Sequence, residues 1–398
     1  MGLSGLMAAK TAAEMGKKIL IVGRGMGSLC LFSNTIDVLG TVPDTMKMSD
    51  GISQWTKDHP EHPYSKLGWE EIEKALLSFT SLFPPPYSFQ TMDDGNCLIP
   101  TGAGTLRPTY LIPSTMVGGS SLKEGKTLIV GFRGMKDFYA DYVAAQLGCR
   151  GVILPLPGAS HQEITGTAIS RLMEQVGFRE AIGREMKNQL KGEIRVGLPA
   201  ILGTRDPIRV NEDLEKIIET EVFEIPTLPP SIPGTRIFNR FKEYLLGTGD
   251  TFLLGHPVSK ATLQGKVCKE IHVFNPPIHN SYSADRYILA TGRFIGGGLT
   301  AGKEKIFEPI FNLPVTQPDS REDWFAKSFF NGRSHPIHRA GILTDSSLRP
   351  IDQKGELLLE NVWIAGSILA GHHSIDEKSR EGIEISTGYR AAKLALGT

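Results

Sequence analysis

The chain has 398 residues, 40% of them hydrophobic and 22% charged, and its 43 basic and 43 acidic side chains give a formal net charge of zero. Such a balance lacks the basic face that nucleic-acid binding requires, and no apolar run approaches the ~18 residues of a membrane-spanning helix. At ~100–200 residues per domain the length supports one large core or two to three smaller ones. The four cysteines (Cys30, Cys97, Cys149 and Cys268) are widely separated and form no Cys-x-x-Cys. That argues against a zinc ribbon, a local iron–sulfur ligand run or a disulfide framework. The N-terminal lysines follow the apolar stretch instead of preceding it, so the opening does not read as a signal peptide and a cytoplasmic location is expected.

In chain order, residues 3–15 are rich in Ala, Leu and Met and predict a helix closed by Gly16, followed by an apolar strand over Lys17–Val22 and a turn at Gly23-Arg24-Gly25. Residues 41–64 read as polar, Pro-containing loop, and a helix is predicted over 69–82, stopped by Pro84-Pro85-Pro86. A second α/β unit begins with a strand at Thr127–Val130, a turn at 131–134, a helix at 136–147 and a strand at 151–156. Helices are predicted at 161–176, 178–190 and 211–220. The phrase PTLPPSIPG (226–234) is a rigid loop, because proline fixes φ and removes donors, and a helix at 235–246 follows it. β-type segments come next: TFLLG, the alternating KVCKEIHVF, and DRYILATG. Residues 300–340 are irregular, NVWIAGSIL (361–369) is a strand and loop, and 382–396 is a closing helix.

Three separated signals, in order, point to a dinucleotide-type cofactor. Gly2-Leu3-Ser4-Gly5 at the head of an Ala-rich helix matches the second half of G-x-G-x-x-G, in which glycines let backbone amides approach a pyrophosphate. An ordinary helix start built from small residues would look the same. About 20 residues on, where an acid would bind a ribose diol, the chain has Arg24 and Gly25, suited to a phosphate or to a surface turn. The second signal is the strand end Ala290-Thr291-Gly292 with Gly296-Gly297-Gly298. In the third, a strand ends at Gly366, a helix starts near Gly382, and Gly388, Ala391, Ala392 and Ala395 share one helical face suited to tight packing on a sheet. Gly366 and Gly382 are the expected approaches to a flavin.

No catalytic base stands out; Arg107, Arg349 and His372 are the candidates. Arg107 and Arg349, each flanked by small residues and Pro, would grip an anionic ester or serve only loop hydrogen bonds. His372 follows a strand-end glycine. His59/His62 and His335/His338 have metal-like spacing, but each pair contains Pro and lacks further ligands, so no metal site is expected.

The phrases GTLRPTYL (104–111), PTLPPSIPGTRI (226–237), ILATGRFIGGGL (288–299), GILTDSSLRP (341–350) and NVWIAGSILAG (361–371) run in order over nearly the whole chain. With them the chain resembles the B subunit of anaerobic glycerol-3-phosphate dehydrogenase. The resemblance implies a flavoprotein, described as FMN-binding with FAD the alternative. It also implies an FAD-containing catalytic subunit and a membrane-associated iron–sulfur subunit as partners, through which the chain would reach the inner face of the membrane. Together such subunits oxidise glycerol 3-phosphate to dihydroxyacetone phosphate and pass electrons towards quinone. This chain departs from the pattern at its start, where similar proteins carry a strand, and at Arg380-Glu381-Gly382, where they are richer in glycine.

The expected fold is a Rossmann-like FAD/NAD(P)-binding-type α/β fold whose largely parallel sheet is short of its N-terminal strand. Residues 1–120, 226–300 and 341–398 would form the flavin-binding domain, 121–225 an inserted α/β region and 301–340 an irregular cap. Two other readings stay open: a flavin-free scaffold subunit with a degenerate site, and a stand-alone FAD-dependent reductase of another substrate.

Overall fold

The computed structural model describes residues 1–158, 163–275, 277–329 and 334–397, the side chains of 123 and 124 excepted. Residues 161 and 162, the predicted start of one helix, lie outside the described residues.

The first helix, α1 (Leu3–Glu14), follows Gly2 in extended conformation and ends before Gly16, whose φ of +70° is the left-handed stop that glycine takes without steric cost. It buries Leu3, Leu6 and Met7 and leads into β1 (Leu20–Gly23). Residues 48–58, read above as loop, form α2 (Met48–Asp58). Its buried stripe is only Met48, Gly51 and Ile52, too few apolar residues to stand out from a polar, Pro-flanked sequence. In α3 (Trp69–Thr80) the buried residues Ile72, Ala75, Leu76 and Phe79 keep the i, i+3, i+4, i+7 spacing that made it legible.

The inserted region has its own sheet. It comprises β2 (Thr127–Phe132), α4 (Ala140–Leu147), β3 (Arg150–Leu154), α5 (Gly166–Met173), α6 (Val176–Gln189), β4 (Arg195–Pro199), α7 (Pro207–Ile218) and β5 (Glu221–Ile225). The strand order is β3-β2-β4-β5, all parallel, with Val130 opposite Val152 and Gly197 opposite Phe223. Every residue of β2 is buried, as a central parallel strand requires. Leu128, Val130, Ile169, Met186, Val196 and Leu214 belong to one core that is separate from the core around α1 and α3.

The Pro-rich loop then feeds α8 (Ile232–Gly247), which starts three residues earlier than its sequence predicts because Pro233 is accepted in the first turn and Ser231 caps the Gly234 amide at 3.1 Å. After it come β6 (Thr251–Leu254), the antiparallel β7 (Val258–Gln264), β8 (Val267–Asn275) and β9 (Ile278–Tyr282), and then β10 (Tyr287–Leu289). The chain closes with β11 (Val362–Ile364), the short α9 (Ser374–Glu377) and α10 (Arg380–Leu396).

The parallel sheet expected of the flavin-binding domain is divided into two pairs. β1 lies parallel to β6 and β10 parallel to β11, and among the described residues neither pair bonds to the other. The C-terminal ends of β1 and β10 both meet the start of α1. A Cβ on Gly23 would press on Met1, and one on Gly5 would sit 3.6 Å from the Ala290 methyl. The start of α1 thus touches both strand pairs. The small-residue face of α10 packs on α1 as well as on β11. A side chain at Gly388 would collide with the Ser4 carbonyl, while Ala391 and Ala395 join Trp363 and Ala365.

Candidate functional site

One cavity of about 1480 Å³ occupies the space between the two strand pairs, lined by β1, by β10 and by the loops at their C-terminal ends. Its walls gather residues that lie more than 350 positions apart in the chain, from Met1 to Leu396.

The head of α1 forms one wall. Gly2, Ser4 and Gly5 line the cavity, and no side chain caps the helix, so its first-turn amides keep their donors for a ligand. Gly25 adjoins that head, its carbonyl accepting from the Met1 ammonium, and the Arg24 guanidinium lies 3.4 Å from where a Cβ on Gly297 would be. The Gly296–Gly298 stretch of the Gly292–Gly298 loop approaches this closely because it carries no side chains. Gly292 and Gly297 have φ of +69° and +78°, and a Cβ on Gly296 would collide with the Thr291 carbonyl. Thr291 and Gly292 both line the cavity, and the buried Thr291 hydroxyl has no partner among the described residues.

The third wall comes from the start of α10 and from β-strand ends. Gly366 stands behind the cavity surface: a Cβ there would run into the Ser4 hydroxyl, so this glycine lets Ser4 seat against β11, and its neighbour Ser367 lines the space. Gly382 is turned away, against the Tyr64 hydroxyl and Val38, because α10 begins two residues before it, at Arg380. Arg380 and Glu384 take the cavity-lining positions instead. Arg380 lies over the Phe32 ring and pairs with Glu381. Burial lowers its pKa to about 10, partly offset by Glu384 and Asp37, and one of its terminal nitrogens is buried without a partner among the described residues. Burial also raises the Glu384 carboxyl, against the opposing pull of Arg380 and of a hydrogen bond from Ser28.

The three candidates for catalysis separate. Arg107 lines the cavity and is ion-paired to the fully buried Asp37 carboxylate. Arg349 pairs with Asp345 at 3.0 Å outside the cavity lining, in the turn that precedes Ile351. His372 is fully buried behind the wall, where burial and then Arg293 push its pKa well below the imidazole norm. Sequence reasoning did not single out Arg293, weighed His338 only as one of a metal-like pair, and met Arg380 only as a departure from the family pattern; these and His373, the neighbour of His372, all line the cavity. Arg293 and Arg380 each directly adjoin, or lie two residues from, a glycine singled out above, and that adjacency was the available signal. Of the histidine pairs, His62 bonds Glu377 at 3.2 Å, His59 stacks on Trp55, and His335 accepts the Ala326 amide.

An uncapped helix head, a glycine-rich loop, a buried orphan hydroxyl and an arginine beside that loop together fit the phosphate-bearing body of a flavin nucleotide. These features define an α/β protein that cradles a nucleotide cofactor. The chain belongs to the FAD binding domain family, whose model matches residues 1–382, and within it to the family of B subunits of anaerobic glycerol-3-phosphate dehydrogenases. It is 31% identical over 99% of its length to a Halobacterium salinarum (strain R1) protein named as the probable B subunit of an anaerobic glycerol-3-phosphate dehydrogenase, 96% of which is covered. It is also 30% identical, over 100% of its length, to the B subunit of the Vibrio cholerae (strain N16961) anaerobic glycerol-3-phosphate dehydrogenase, of which it covers 95%. Among solved structures it resembles a 3-ketosteroid delta1-dehydrogenase from Sterolibacterium denitrificans, with 11% identity, a TM-score of 0.44, and coverage of 100% of this chain and 98% of that one.

Proposed function

We propose that this chain is the flavin-bearing electron-transfer subunit of an anaerobic glycerol-3-phosphate dehydrogenase complex. In that complex glycerol 3-phosphate is oxidised to dihydroxyacetone phosphate and the electrons pass towards quinone. The observation that carries the reading is the cradle itself: the free amides at the head of α1 face the Gly292–Gly298 loop across one cavity. The full-length similarity to proteins named as B subunits of that enzyme supports the same assignment.

Gly2, Ser4 and Gly5 would hold phosphate, Arg24 and Gly25 would face it, and Thr291 and Gly292 would line the cofactor body. Ser367, with Gly366 behind it, and Glu384 at the start of α10, would take the place first expected of Gly366 and Gly382. The flavin supplies the redox chemistry when bound; the protein groups position it, exclude water and set the local potential. We favour FAD over FMN, because the matching family is described by FAD binding. The flavin-binding parts would be residues 1–120, 226–300 and 341–398, around the inserted region 121–225 and the segment 301–340. A catalytic FAD-containing subunit and an iron–sulfur subunit at the membrane would complete the assembly. Among the described residues no helix is long and apolar enough to cross a membrane, so membrane contact would be made by the partner.

Purified protein should be yellow, and heat should release a flavin that mass spectrometry identifies as FAD. Release of FMN would change the cofactor and keep the function. A colourless protein that takes up neither flavin would overturn the reading in favour of a scaffold subunit.

A further inference from the structure

One end of the cavity is basic, and the cofactor cradle does not use it. Arg293 follows Gly292 into the protein and donates to three carbonyl oxygens: His338, Leu369 at 3.1 Å and His372 at 3.0 Å. No carboxylate lies within ion-pairing distance of it among the described residues, and its Nε is buried without a partner. Burial lowers its pKa to about 10, which still leaves a full positive charge at neutral pH. The acid that acts on it, Glu377, is already engaged by the His62 imidazole at 3.2 Å, the His373 amide at 2.8 Å and the Ser379 hydroxyl at 3.0 Å. An uncompensated buried cation is costly for a fold, so its presence beside a cavity is a signal of function.

Two imidazoles line the cavity beside that charge, and their hydrogen bonds fix where the protons sit. His373 caps α9, its Nδ1 accepting the Asp376 amide at 3.1 Å. An accepting nitrogen carries no proton, so the neutral ring is protonated at Nε2, which lies 2.8 Å from His338 Nδ1. His338 Nδ1 is therefore an acceptor in turn, and the neutral His338 ring keeps its proton on Nε2. That N–H has no partner among the described residues, and the ring lines the cavity. Burial, followed for His338 by the neighbouring His373 charge, holds both rings below the ordinary imidazole pKa, so this arrangement is the one present at neutral pH. Asp376, exposed and 3.6 Å from His373 Nδ1, is the acid on the solvent side.

We propose that this corner is an oxyanion subsite. The His338 N–H donates to an anionic oxygen of a phosphomonoester, and Arg293 supplies the positive potential behind it. The α9 cap acts through His373 as a tautomer lock, which makes His373 a positioning residue. The proposal rests on the function proposed above and gives this chain its own contact with the phosphorylated substrate.

The test uses the purified holoprotein. Calorimetric titration should show binding of glycerol 3-phosphate and of inorganic phosphate, and none of glycerol. His338→Phe should weaken both phosphate ligands about tenfold or more, the loss expected for one hydrogen bond to a charged group, with unchanged flavin content and melting temperature. In ¹⁵N histidine spectra His338 should be the Nε2–H tautomer and should shift on phosphate addition, while the exposed His279 should not. Equal binding by His338→Phe, equal binding of glycerol, or an Nδ1–H tautomer at His338 would each overturn the subsite. A flavin-loaded protein indifferent to His338 leaves the flavin function standing and removes only the subsite. A flavin-free protein that binds phosphate through His338 keeps the subsite and removes the electron-transfer role.

Discussion

Two buried charges show how single residues act on the fold in opposite senses. Arg236, inside the PTLPPSIPGTRI phrase, forms a two-pronged pair with Glu224 at 2.6 and 2.7 Å and also donates to the Gly203 carbonyl. Glu224 accepts from Thr115 and the Leu202 amide as well, so the pair ties α8 to the inserted sheet with both partners almost fully buried. Arg236→Met strands a buried carboxylate and should cost about 3–5 kcal/mol in urea unfolding, whereas the double variant Arg236→Met/Glu224→Leu should recover most of that loss. Glu384 behaves in the opposite sense. Its raised pKa means the folded state keeps the proton to higher pH than the unfolded chain, so the group weighs against the fold as pH rises above the ordinary carboxyl value of 4.5. Glu384→Gln removes that slope. Its melting temperature should match the wild type near pH 4 and exceed it at about pH 8; parallel curves would show that Glu384 ionises normally.

At the scale of elements, α1 is held by what its neighbours lack. Gly388 on α10 meets the Ser4 backbone, and a Cβ there would collide with its carbonyl oxygen. Gly388→Val should therefore lift α10 off α1, cost about 1–3 kcal/mol and reduce flavin retention after dialysis, since the head of α1 moves with it. The Pro-rich phrase plays the matching part at the other side of the cavity. Gly234 in the first turn of α8 lies against the Leu29 carbonyl, the Ser231 amide donates to Cys30 at 2.9 Å, and Asn34 bonds the Ser231 hydroxyl at 2.9 Å. That strap braces the 26–32 segment, part of which lines the cavity. The sequence made the cradle legible because glycines at strand ends and helix heads answer a local backbone demand that is readable over five residues. The anion corner was not legible. Arg293, His338 and His373 meet across 45 and 35 residues, and only tertiary packing decides which histidines face a cavity and which, like His372, are sealed behind it. Gly382 misled for a related reason: the register of α10 turns it towards Tyr64, and spacing alone does not reveal where a helix begins to a precision of two residues.

Over the whole molecule the core of the parallel sheet β3-β2-β4-β5 is separate from the core around α1 and α3. That sheet is continuous, its four strands covered by buried apolar side chains. The cofactor domain spends its sheet's centre on open volume, with β1 and β10 facing each other across the cavity. This contrast is also a statement about time. Amides of β2 and β4 have a hydrogen-bonded neighbour on either side and should exchange with deuterium only on global opening, over hours to days. β1 and β10 are bonded along one edge alone, so alternate amides point into the cavity and should exchange orders of magnitude faster, unless a bound segment or ligand covers them. An exchange map by mass spectrometry or NMR thus reads the occupancy of the space directly. Slow exchange along β1 and β10 would mean that the gap is filled in solution, and the residues slowed first would outline whatever fills it.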